Sequence, residues 1–163
     1  MTPQEREVDA ALRDLQIAFT RHEHPPAATV EEAERYWADI DATHCKNLFL
    51  RNQKGTRHYL VILVATKRAD LRAVADQIAD GKLSFASPER LMTYLGLTPG
   101  SVSPFGLIHD TDRRVKVFLD RDLKAASRVA FHPNINTVTL TISFDDFLKF
   151  LDACGHAVHY VTV

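Results

Sequence analysis

The sequence predicts an α+β or mixed α/β fold in a single domain over residues 1–163. Three observations predict it. Segments of period-two apolar alternation and segments of helical periodicity follow one another in irregular order, about seven of the first and five of the second. A length of 163 residues suits one core, and 45 % hydrophobic with 25 % charged residues is ordinary for a globular chain. No internal repeat, low-complexity segment or long linker interrupts it.

Thr2-Pro3-Gln4-Glu5 has the form of a capping box with proline at the first helical position. Val8, Leu12 and Leu15 then share one face, so a helix to about Leu15 is expected. Ile17 to Arg21 is expected as a short strand leading into His22-Glu23-His24-Pro25-Pro26, where two prolines oppose regular pairing. Thr29-Val30-Glu31-Glu32 is a second capping box, and Val30, Ala33, Tyr36 and Trp37 give its helix an apolar side that should lie against the hairpin that follows.

That hairpin starts with Thr43 to Asn52, where Leu48 and Leu50 alternate with Asn47, Phe49 and Arg51. Gln53-Lys54-Gly55-Thr56 supplies the turn, and His58 to Ala65 returns as an almost wholly apolar run of the kind buried on both faces. Asp70 can cap a helix with Leu71, Val74 and Ile78 on one face, ending near Gly81. Ser87-Pro88-Glu89-Arg90 starts another, which carries Leu91, Met92 and Leu95 and stops at Gly96.

After the Gly/Ser/Pro-rich loop Leu97 to Gly106, Val115, Val117 and Leu119 alternate as a strand. Asp120 to Ala126 is a short helix or turn, and Ser127 to Phe131 another strand. Val138, Leu140 and Ile142 alternate with Thr137, Thr139 and Thr141; the hydroxylated face either lines a small polar pocket or, as is commoner, forms the wet side of a sheet. Ser143-Phe144-Asp145-Asp146 opens the last helix, with Phe147, Leu148 and Leu151 inward and Gly155 at its end, and Ala157 to Val163 closes as a strand.

Composition excludes several classes of function. No apolar run approaches the roughly 18–20 residues that cross a bilayer, and the first residues lack the basic-then-apolar order of a signal peptide, so a cytoplasmic protein without a membrane partner is expected. Cys45 and Cys154 are too few for a disulfide framework. There is no Gly-x-Ser-x-Gly elbow, His-Glu-x-x-His pair, phosphate-binding Gly-x-x-x-x-Gly-Lys loop or Gly-x-Gly-x-x-Gly fingerprint. The net charge is −1, yet Lys46 to Arg72 carries seven basic residues against one acid, which leaves the remainder at −7. Such asymmetry fits a local phosphate contact such as the end of a tRNA, or equally a solvated hairpin rim.

Within the hairpin, Lys46 and Asn47 stand at the mouth of an otherwise apolar strand. An ammonium there either marks a binding site or is a strand-edge lysine that blocks aggregation. The loop Gly100-Ser101-Val102-Ser103-Pro104 can bring backbone N–H groups close to a ligand or serve as a plain turn. His132 can orient substrate or water, or simply bond to backbone. His22 and His24 alternate on an extended segment, but two ligands make a weak metal site, and a pocket-rim or surface role is favoured. Trp37 reads as packing rather than a base-stacking platform. Cys45 beside Lys46 invites a thiolate reading, which the opposite facing of adjacent strand residues opposes.

Three runs carry a family resemblance: Lys46-Asn47-Leu48-Phe49-Leu50-Arg51, Leu83-Ser84-Phe85-Ala86-Ser87, and Gly100-Ser101-Val102-Ser103-Pro104-Phe105-Gly106-Leu107. In this order, within a likeness from about Leu12 to Gly155, the chain resembles the YbaK/ProX family of aminoacyl-tRNA editing domains, most of all its free-standing prolyl-tRNA editing proteins. The resemblance implies a mixed, partly barrel-like sheet flanked by helices, with Lys46 and the Gly100–Pro104 loop as functional core. It implies hydrolysis of alanine wrongly esterified to tRNA(Pro), with Lys46 as the catalytic residue and Asn47, Arg51, Gly100, Ser101, Val102, Ser103, Pro104 and His132 as substrate contacts.

An aminoacyl ester is already activated, so positioning and charge stabilisation suffice without a metal or cofactor, and the resemblance implies that a hydroxyl of the terminal adenosine helps to activate the water. The partner implied is the acceptor end of tRNA(Pro) carrying alanine, with prolyl-tRNA synthetase or another translation factor left open as a second. The rival readings are a cysteinyl-tRNA(Pro) deacylase of the same family and a non-catalytic module that binds a tRNA end or a synthetase.

Overall fold

The computed structural model describes residues 1–27 and 29–163, and the side chain of Val30, expected on the apolar side of the second helix, lies outside the described residues. Among the described residues, five α-helices and eight strands follow in the order α1 (Pro3–Asp14), β1 (Thr20–Glu23), α2 (Val30–Trp37), β2 (Thr43–Asn52), β3 (His58–Val64), α3 (Leu71–Ile78), β4 (Leu83–Phe85), α4 (Pro88–Leu95), β5 (Val115–Asp120), β6 (Arg128–Phe131), β7 (Val138–Ser143), α5 (Phe144–Ala153) and β8 (Val158–Val161). Short 3-10 helices span Pro104–His109 and Arg121–Ala125. Among the described residues no helix is long and apolar enough to cross a membrane.

Each α-helix begins where a side-chain oxygen can take up an orphan N–H. Thr2, Thr29, Asp70, Ser87 and Ser143 accept from Glu5, Glu32, Arg72 and Ala73, Arg90 and Asp146 respectively. Helix α4 ends on Gly96 in the left-handed region, as the sequence predicts, whereas α3 ends on Ala79 at φ 61°, two residues before Gly81.

The sheet is mixed, in the order β1-β7-β6-β2-β3-β5-β8, with β4 paired to β2 beside this path. Pairings β2–β6, β3–β5 and β5–β8 are parallel and the others antiparallel. The expected flanking by helices holds, and the path is open: the sheet does not close into a barrel. A large core joins one face to α1, α4 and α5 through Val8, Leu12, Leu95, Phe105, Phe147 and Phe150. A smaller one packs Leu50, Tyr59, Val61 and Leu83 under Val74 and Ala75 of α3.

Two expectations are corrected, and one strand appears that the sequence reading does not foresee. Strand β1 begins at Thr20, not Ile17, and runs on through His22 and Glu23. Ile17 is instead a core residue in a loop that follows Gln16 at φ 57°, a backbone turn that ends any extended run. Leu83–Phe85 forms a strand that its three-residue length hides from a periodicity argument. The threonine face of β7 is not wet, for Thr139 and Thr141 are each 1 % exposed, and Thr139 Oγ1 lies 2.8 Å from His24 Nε2.

Candidate functional site

The site begins with the pairing of β2. The His44 carbonyl accepts from the Ala65 N–H at 2.8 Å and the Asn52 N–H donates to Arg57 O at 3.1 Å, so even-numbered residues turn their main-chain groups toward β3. Cys45, Asn47 and Phe49 therefore turn theirs to the other side. There, β6 covers Thr43 and His44, β4 covers Leu50 to Asn52, and Phe49 O accepts from Ala86 N. Asn47 stands in the gap between the two partner strands.

A cavity of about 190 Å³ opens at this gap, lined by Ala27, Thr29, Ala33, Trp37, Cys45, Lys46, Asn47, Gly100, Val102 and His132. Ala33 and Trp37 are four residues apart and so project from one face of α2. Trp37 is anchored by stacking on His44, ring centroids 4.3 Å apart, which seats α2 against the hairpin as expected. Larger hollows elsewhere, such as one of about 530 Å³ beside α3, gather none of the expected site residues.

Two hydrogen-bond links fix the walls relative to one another. Asn47 Nδ2 donates to the Val102 carbonyl at 3.3 Å, joining β2 to the loop. Ser103, fully buried, donates from Oγ to His132 O at 2.6 Å and accepts from the Phe105 N–H at 3.1 Å, joining the loop to the end of β6. Gly100 lies at φ +88° with open space where a Cβ would point, so the backbone turn, not crowding, demands glycine.

Electrostatically the cavity is a desolvated setting with one cation at its mouth. Among the described residues no carboxylate pairs with Lys46. Asn47 Oδ1 is buried and, among the described residues, has no hydrogen-bond partner; such an atom is a place where a ligand donor is wanted. His132 Nδ1 lies 2.8 Å from the Val138 carbonyl, which can only accept, so Nδ1 carries the proton. Burial, with His24 nearby, holds its pKa below the ordinary histidine value and leaves the Nε2 lone pair free to accept. Burial likewise depresses His44 to about 4 and pushes the Cys45 thiol up, away from thiolate.

The structure thus brings Lys46, Asn47, Gly100, Val102 and His132 to one cavity. Ser101 stands beside them in the loop, its N–H bonded to Thr98 O, while Ser103 and Pro104 are buried and shape the loop from behind. Arg51 lies at the far end of β2, where its guanidinium donates to the carbonyls of Asn52 and Gln53. Part of the basic cluster is similarly engaged within the chain: Lys67 pairs with Asp120 and Asp122 at 2.9 and 2.6 Å. Cys45 and Lys46 both line the cavity although adjacent strand residues point to opposite faces of the sheet. Sequence reasoning missed Ala27, Thr29 and Ala33 as wall residues; the i, i+4 spacing of Ala33 and Trp37 was the available signal. His22 and His24 join no cluster suited to a metal ion among the described residues.

The aminoacyl-tRNA editing domain family matches residues 24–150, which include every wall of this cavity. The chain belongs to this family. The editing domain is 44 % identical over 149 residues to the prolyl-tRNA editing protein ProX of Acetoanaerobium sticklandii, covering 91 % of each chain. It is 32 % identical to the prolyl-tRNA synthetase associated domain-containing protein 1 of Mus musculus, over 92 % of this chain and 90 % of the mouse protein. A crystal structure described as a candidate trans-editing enzyme for prolyl tRNA synthetase superposes with a TM-score of 0.74, covering 100 % of this chain and 99 % of that one; at 23 % identity it speaks for the fold alone. Editing an aminoacyl-tRNA is hydrolysis of its ester, so the chain is an aminoacyl-tRNA deacylase.

Proposed function

We propose that this editing domain removes alanine from mischarged tRNA(Pro) in trans, without a metal. The observation that carries the reading is the pairing, at one small cavity, of a lysine that no carboxylate engages and a buried Asn47 Oδ1 that has no hydrogen-bond partner, both among the described residues. An alanyl ester presents the complementary groups: an α-ammonium to donate to Oδ1, and a carbonyl oxygen that becomes negative when attacked. The prolyl-tRNA editing name of the 44 %-identical relative supports tRNA(Pro) as the carrier.

In the reaction a water oxygen bonds to the ester carbonyl carbon and its proton passes, with help from a hydroxyl of the terminal adenosine, toward the departing ribose oxygen. The Lys46 ammonium stabilises the oxyanion that forms. The C–O bond to ribose then breaks, and that oxygen takes up the proton, releasing alanine and uncharged tRNA. Backbone groups of Gly100 to Pro104 and the Nε2 acceptor of His132 hold the aminoacyl moiety and the ribose in place. The Cys45 thiol is no nucleophile here, since burial disfavours its thiolate.

Size supplies the selection. A cavity of about 190 Å³ is smaller than the roughly 300–1,000 Å³ of sites for drug-sized ligands and holds one amino-acid moiety. In this reading the shape of its walls, not its total volume, excludes the proline ring; steric exclusion is effective, whereas a smaller group loses only about 1–3 kcal/mol per methylene. The test is deacylation of alanyl-, cysteinyl- and prolyl-tRNA(Pro) side by side: release of alanine with prolyl-tRNA spared is expected. Faster release of cysteine would transfer the reading to cysteinyl-tRNA(Pro), and binding without hydrolysis of any of the three would leave a non-catalytic module.

A further inference from the structure

Strand β4 carries a large apolar side chain that the fold leaves in water. Phe85 is 60 % exposed, whereas Leu83, two residues before it on the same face, is buried under α3. Phe85 pairs directly with Leu50 and Leu83 with Asn52, and side chains of a strand alternate, so Phe85 shares its sheet face with Leu50, Leu48 and Lys46. Leu50 is four residues from Lys46, which places Phe85 about 13 Å along the strand from the lysine at the cavity mouth. That is too far for the ester and right for the nucleotides just before the terminal adenosine. The surroundings are basic: exposed Lys82 precedes the strand, and Lys82 and Arg72, with Asp76 among them, line the hollow of about 530 Å³ whose wall is Leu83.

The geometry points to Phe85 as a stacking platform for the penultimate base of the single-stranded 3′ end of the tRNA, with Lys82 and Arg72 toward its phosphates. Unpaired bases bind proteins by stacking on aromatic rings beside cationic side chains, an arrangement indifferent to base identity. The inference rests on the deacylase reading, because that reading sets which end of the RNA lies at Lys46. An exposed phenylalanine on an edge strand is otherwise only a liability.

Two measurements test it on the intact protein. In the first, an RNA ending in the acceptor sequence carries 2-aminopurine at the penultimate position. Wild type and Phe85→Trp are expected to quench its fluorescence on binding, and Phe85→Ala and Phe85→Leu to bind without that quench. In the second, hydrolysis of alanyl-tRNA(Pro) is compared with hydrolysis of the alanyl ester of adenosine alone. Phe85→Ala is expected to lose about 5- to 100-fold in kcat/KM on the tRNA, through KM with kcat held, and nothing on the adenosine ester.

Equal losses on both substrates would mean that the ring supports the fold, and an absence of quenching by wild type would mean that no base stacks there; either overturns the assignment. A quench lost in Phe85→Ala without hydrolysis of either substrate by wild type would keep the platform and sink the deacylase reading.

Discussion

Ser103→Ala is the sharpest probe of how the loop and the His132 segment are held together. The substitution removes one oxygen from a fully buried position and leaves two groups without a partner, the His132 carbonyl and the Phe105 N–H. Each orphaned buried group costs about 1–3 kcal/mol, and almost no volume is lost, so a destabilisation of about 2–6 kcal/mol is expected. With a urea dependence of about 2 kcal/mol per molar, the unfolding midpoint should fall by about 1–3 M. Because the same oxygen ties two walls of the cavity, KM for the aminoacyl-tRNA should rise in the fraction that remains folded. Ser101→Ala, two residues away and bonded only through its main chain to Thr98, serves as the control and should change stability by less than about 0.5 kcal/mol. A Ser103→Ala protein as stable as that control, with unaltered KM, would refute the argument that Ser103 clamps the site.

Two further outcomes follow from the electrostatics. Trp37 is the single tryptophan and stacks on His44, whose pKa burial lowers to about 4, so tryptophan emission should change with a midpoint near pH 4 and stay flat near 6.5. Since the unfolded chain takes up that proton from about pH 6.5 downward and the folded one does not, His44 lowers stability progressively between about 6.5 and 4; urea midpoints across that interval check the sign. Cys45 should react slowly with a thiol-specific disulfide reagent at about pH 8, because burial holds the thiol protonated, and Cys45→Ala should keep deacylation within a few-fold. Loss of catalysis in that variant with the fold intact would restore the thiol as nucleophile.

Local chemistry made much of this architecture legible. The five capping residues, the Thr43–Asn52 and His58–Val64 hairpin, and the Lys46, Asn47 and Gly100–Pro104 stretches could all be found from neighbours a few residues apart. Contacts that join distant segments could not. Ser103 meets His132 across 29 residues and His24 meets Thr139 across 115, and neither pair has a periodicity to betray it. The buried threonines of β7 defeat the alternation rule: Thr139 lies 2.8 Å from His24 Nε2 and shares a small hollow with Trp37 of α2, so distant segments cover what would otherwise be the wet face. Arg51 shows the converse limit, since adjacency to Lys46 in sequence becomes remoteness along an extended strand.

Single-turnover deacylation of alanyl-tRNA(Pro) by wild type and by Lys46→Ala, with tRNA binding and unfolding followed in parallel, tests the central claim most directly. The variant should fold and bind tRNA as wild type does while losing about 100- to 1,000-fold in rate, the usual consequence of removing one donor to a developing oxyanion. A Lys46→Ala protein that hydrolyses the ester at the wild-type rate would contradict the account and leave the lysine as an edge residue that keeps the strand in water.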